Sequence, residues 1–229
     1  MAAEATRLIS LSPARHRDDV LSGTGMLPVL TALAGLLPSG GLMRGSVVTT
    51  EEWGLLSLAL AAGAAAEGAW CAIAGVPSVG VRAAADAGLD PGRLVLIPDP
   101  GQGWPQVVAA LLDGFDIVLL RPPEQPPAQL RRKLEAAARR NGSVLLVAGD
   151  WPGAQARLAV IEEEWIGIGD GHGRLRARRA RVVASGRGAG ERPRGCWLWL
   201  PGPDGSVSAA SAWSGMRPGH IAERLLSSG

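Results

Sequence analysis

Short apolar segments at residues 70–76, 94–98, 115–120 and 143–148 recur along the middle of the chain, with helix-length stretches between them. Apolar runs this short, bounded by Gly and Pro, read as strands buried on both faces. The stretch 79–87 between the first two reads as a helix ended by Gly88. Residues 104–112 form an amphipathic helix pattern, with Pro105 in its first turn and Gly114 at its end. A basic helix follows Pro126-Pro127, runs to Arg140 and closes at Asn141-Gly142. Repeated strand–helix–strand units of this length require a parallel sheet with right-handed crossovers.

The run 55–66 is apolar all round but stops at Glu67-Gly68, too soon to span a bilayer. A helix without a polar face belongs inside, between a sheet and other structure. Beyond Trp151 the texture changes: strands are expected at 158–168, 174–185 and 195–200, the last turning through 201–205 into 206–208. Strands joined by glycine turns without helices predict antiparallel additions at the sheet edge. The expected organisation is an N-terminal extension (1–25), a core domain (26–208) and a C-terminal tail (209–229) with a short helix at 221–226.

Composition bounds the partners only loosely. With 229 residues, 47% hydrophobic, 19% charged and a formal net charge of +2, the chain is globular rather than disordered. Residues 1–20 mix Glu4, Arg7, Arg15, Arg17, Asp18 and Asp19 and lack the apolar core of a signal peptide. Cys71 and Cys196 stand outside any C-x-x-C pattern and read as reduced thiols, so a cytoplasmic protein without a membrane partner is expected.

Residues 40–54 carry a glycine turn, a β-branched strand and the entry to the apolar helix. A phosphate loop at such a place needs G-x-x-x-x-G-K-[ST], in which Lys reaches the terminal phosphates and a hydroxyl holds Mg²⁺. This loop has no Lys, and the only Lys of the chain is Lys133. Thr49-Thr50-Glu51-Glu52 fits a helix capping box instead. Glu51 and Glu52 would repel a triphosphate from the helix N-terminus. Trp53 is expected to fill the space a nucleotide would occupy. The strand 115–120 closes with Arg121-Pro122 where an Mg²⁺-holding acid belongs, and Asp116 is at its wrong end. Asp150 follows the next strand, either as a displaced substitute for that acid or, the preferred reading, as a turn residue before Trp151-Pro152.

The order of these elements resembles the RecA-like ATPase core, most closely over residues 94–120, with residues 83–90 similar to the stretch before that strand. Together with the Arg-rich, Trp-rich C-terminal part, the chain resembles the actinobacterial ImuA-type proteins, RecA/SulA-like accessory factors of damage-induced mutagenesis. The resemblance implies a RecA-like, mainly parallel sheet flanked by helices, with antiparallel C-terminal strands and a degenerate P-loop. It also implies a non-catalytic role in translesion DNA synthesis, without a cofactor. The partners implied are an inactive Y-family polymerase homologue of the ImuB type and RecA. Alternatives are a SulA-like inhibitor of cell division and an ATPase with an unconventional site.

Between residues 172 and 194 the chain carries eight Arg against one acid, Glu191. Arg174, Arg176 and Arg178 share one strand face, and Arg179 and Arg181 fall on the other, with a bulge or twist expected between them. Together with Arg131 and Arg132 of the basic helix, they are the candidate DNA contacts, since Arg pairs bidentately with phosphate. The alternative is a solvated charged surface. Trp197 and Trp199 lie on one face of their strand.

Overall fold

A computed structural model describes residues 25–169, 172–186 and 193–210. In chain order the elements are β1 (Met26–Pro28), α1 (Thr31–Ala34), β2 (Gly41–Met43), β3 (Val47–Thr50), α2 (Leu55–Ala66), β4 (Cys71–Ala74), α3 (Val81–Asp86) and β5 (Leu94–Ile97). They continue with α4 (Trp104–Gly114), β6 (Ile117–Leu120), α5 (Ala128–Asn141), β7 (Val144–Ala148), β8 (Ala156–Gly169), β9 (His172–Ser185), β10 (Arg194–Trp199) and β11 (Ser208–Ala209). The expected helix at 221–226 and residues 1–24 lie outside the described residues.

A nine-stranded sheet runs β11-β10-β9-β8-β3-β7-β6-β4-β5. From β5 to β8 all neighbours are parallel; β8–β9, β9–β10 and β10–β11 are antiparallel. The fold is thus the RecA-like α/β class implied by the sequence, with its antiparallel strands at the C-terminal side. Each buried strand divides its side chains between two cores, as the period of two requires. Ile117 and Leu119 pack with α2 and α3 on one face. Val118 and Leu120 pack with α4 and α5 on the other.

The unpredicted part is β1–α1–β2, in which β1 and β2 pair antiparallel as a separate ribbon. Leu27, Leu33, Leu36 and Leu37 join the same core as α2. This segment crosses α2 at Gly63, where an added Cβ would lie 2.3 Å from the Val29 carbonyl carbon. Only glycine permits that approach, which explains an apolar helix buried on nearly every face. Among the described residues no helix is long and apolar enough to cross a membrane.

Candidate functional site

The carboxyl ends of parallel strands are where open α/β sheets bind ligands, and the loop after β3 opens there. Thr49 and Thr50 belong to β3, where Thr50 is paired with Ala148 of β7 and Leu158 of β8. The Glu51 N–H continues the ladder by donating to the Leu158 carbonyl at 3.1 Å. Pairing on both sides holds this stretch extended, so the expected capping box does not form. Helix α2 begins only at Leu55, with Gly54 as its N-cap and no side-chain cap. The Thr50 hydroxyl is instead hydrogen-bonded to Ser57 Oγ at 2.8 Å, and Ser57 Oγ lies 3.3 Å from the Glu52 carbonyl that accepts from it. With Gly54 as the second glycine of a phosphate-loop spacing, Leu55 and Leu56 occupy the Lys and Ser/Thr places. Neither side chain can contact a phosphate by hydrogen bond or charge.

Trp53 does not fill the vacated space. Its ring is half-buried against the α2-side core. It lines a pocket of about 280 Å³, together with Glu51, Glu52, Leu55 and, from β8, Ile161 and Glu163. The core takes up the indole, so the expected plug becomes a wall.

The acids that might have replaced a missing metal ligand are engaged elsewhere. Asp116 sits at the amino end of β6, away from this loop, where it pairs with Arg44 at 3.0 Å and accepts from the Trp70 N–H at 3.0 Å. Arg44 also donates to the Gly142 carbonyl at 2.9 Å, tying β2, β6 and the end of α5 together. Asp150 is ion-paired with Arg157 and accepts from Gln125 at 3.1 Å. Burial, with the Asp116 charge second, pushes the Cys71 thiol up to about 12, so it stays a protonated core side chain. Burial also raises the Cys196 thiol.

Strand β8 runs on beyond the end of β3 and forms a ribbon with β9. The arginines of β9 meet an acidic stretch of β8 that is distant from them in sequence. Glu162, Glu164 and Trp165 stand opposite Arg181, Arg179 and Arg178. Arg181 binds Glu162 at 2.6 Å, and Arg178 lies 3.5 Å from Glu163. Arg178 also covers the Trp165 ring at 5.5 Å, and buried Arg179 stacks 4.5 Å from the Trp197 ring. The irregularity lies in the pairing of β8 with β9, which shifts register between Val160 and Glu162 and again between Ile166 and Ile168, while Arg179 and Ala180 of β9 are buried side by side. Arg176 is exposed; the side chain of Arg174 lies outside the described residues. Arg131 and Arg132 are on α5, where they donate to the Pro126 and Ala128 carbonyls. Helix α5 packs against β7, which β3 and β8 separate from β9, so the two basic groups form no continuous strip. Only pairing register shows that Glu162 and Glu163 face these arginines; the visible signal was the Glu-Glu-Glu run itself.

Over residues 35–153 the chain matches the family model described as the MT3502 N-terminal domain. The chain belongs to the MT3502 N-terminal domain family. The matched span runs from the end of α1 through β7 and stops before the antiparallel ribbon. The chain is also 40% identical over 128 residues to the uncharacterized protein Rv3395c of Mycobacterium tuberculosis, an alignment covering 54% of this chain and 63% of that protein. Among solved structures, the flagellar accessory protein FlaH from Methanocaldococcus jannaschii superposes with a TM-score of 0.54 at 12% identity. That superposition covers 83% of this chain and 100% of FlaH, a likeness of fold.

Proposed function

We propose that this MT3502 N-terminal domain protein is a non-catalytic, RecA-like accessory factor of damage-induced mutagenesis, of the ImuA type. It acts as a scaffold joining an inactive, ImuB-type Y-family polymerase homologue to RecA, to DNA or to both. The observation that carries the reading is the loop after β3: Leu55 and Leu56 stand where a phosphate loop needs Lys and a hydroxyl, and Glu51 and Glu52 precede them. A RecA-like fold that keeps its sheet and has lost its phosphate chemistry is suited to binding other macromolecules rather than to hydrolysing ATP. The role in translesion synthesis comes from the ImuA-type resemblance. The mycobacterial relative and the RecA-like fold support it at the level of lineage and architecture.

Direct DNA contact is the minor part of this reading. Glu162 and Glu163 match the charges of Arg181 and Arg178; of the candidate contacts, Arg176, Arg131 and Arg132 stay exposed or partly exposed for a phosphate backbone, with exposed Lys133, Arg139 and Arg140 beside the latter two on α5. The test is affinity capture of the tagged full chain from DNA-damaged cells, with mass spectrometry of what is bound. Recovery of the polymerase homologue or RecA after nuclease treatment is the expected result. Recovery of the tubulin-like division protein in their place would overturn the reading in favour of a SulA-like inhibitor.

A further inference from the structure

The pocket at the end of β3 has a charge and a lining opposite to those of a nucleotide site. Glu51 and Glu52 are exposed at its mouth and, among the described residues, make no ion pair. Glu162 and Glu163 add two carboxylates from β8. The one cation in the lining, Arg178, is already placed beside Glu163 and over Trp165. Arg181 neutralises Glu162 from the neighbouring strand. Among the described residues the charge left unmatched is therefore that of Glu51 and Glu52, and it repels anions and attracts a cation.

The walls select further. Trp53, Leu55 and Leu56 form an apolar side, and Ile161 at the β8 bulge is 53% exposed. Four residues along the same strand, Trp165 is 45% exposed. Such a surface suits the alkyl stem of a long basic side chain, whose charged head then reaches the carboxylates. At about 280 Å³ the pocket lies below the roughly 300 Å³ where sites for drug-sized ligands begin, a volume suited to one side chain. Its floor is held by the Glu51 N–H to Leu158 bond and by the Thr50–Ser57 bond, so little ordering is needed on binding.

We propose that this pocket receives an arginine or lysine side chain of a partner protein, with an adjacent apolar residue of the partner covering Ile161. The proposal rests on the reading of the loop as vacated by nucleotide, and the experiment separates the two. The ¹⁵N-labelled full chain is titrated with Ac-Leu-Arg-NH₂, with the citrulline analogue of that dipeptide, and separately with Mg-ATP. The arginine dipeptide shifts the Glu51, Glu52 and Trp53 signals saturably, with an affinity on the order of millimolar for so small a probe. Citrulline, nearly isosteric but neutral, binds about tenfold more weakly, and the double substitution Glu51→Gln and Glu52→Gln costs a similar factor. Both glutamates are exposed, so the variant keeps its fold. Equal binding of the two dipeptides, indifference to the substitutions, or no shifts at all would overturn the pocket proposal. Saturable Mg-ATP shifts at the same signals would overturn the vacated-loop reading instead.

Discussion

In β4, β6 and β7 every residue is buried, whereas β8 has no buried residue from Ala159 to Gly167, and its charges there face the arginines of β9. The parallel half owes its position to two cores, one on each face of the sheet. The ribbon beyond Val160 leans on ion pairs and on arginine–tryptophan contacts that stay partly in water. Buried strands lose little if a surface charge changes and much if a core atom is removed. The ribbon has the opposite sensitivities, and it carries part of the pocket wall.

That contrast breaks most readily in the core. Leu119→Ala, at a side chain with no exposure, is expected to cost about 2–5 kcal/mol in denaturant unfolding. Ile161→Ala on the ribbon is expected to stay within about 0.5 kcal/mol of the parent protein. Equal losses would mean that the ribbon is as much a part of the cooperative core as β6.

Thiol chemistry sharpens the same division without any substitution. Cys71 lies in the parallel half with its pKa pushed up to about 12, and partly exposed Cys196 lies on β10. At pH 8 a maleimide reagent should label Cys196 at least ~10-fold faster, with Cys71 reacting only as the sheet opens. The sign for Cys71 is that of an acid whose folded pKa is raised. Its contribution to stability is complete below pH 9 and is lost as the pH climbs towards about 12.

The smallest effect belongs to the exposed pair. Arg181→Gln should destabilise by less than about 1 kcal/mol, with the loss shrinking in high salt. A larger, salt-independent loss in thermal unfolding would show that the ribbon charges act as a buried network.

The parallel half was legible because its signals are local. Residues 94–98, 115–120 and 143–148 read as strands, and β5, β6 and β7 lie within them. The basic helix ends at Asn141-Gly142, where Gly142 takes the left-handed conformation its place as C-cap requires. The missing Lys of the phosphate loop was equally plain. The start of α2 was not legible. Thr49-Thr50-Glu51-Glu52 has the local pattern of a helix cap, and pairing with β7 and β8, distant in sequence, draws it into a strand.

Residue types in chain order were therefore enough for the α/β class and the covered sheet, because periodicity acts over a few residues. Packing and register settled the rest: that Trp53 is a wall, that Glu162 and Glu163 silence two of the arginines, and that β1–α1–β2 closes over α2 at Gly63. Those outcomes depend on which strands meet and in what alignment, a long-range property that local sequence does not encode.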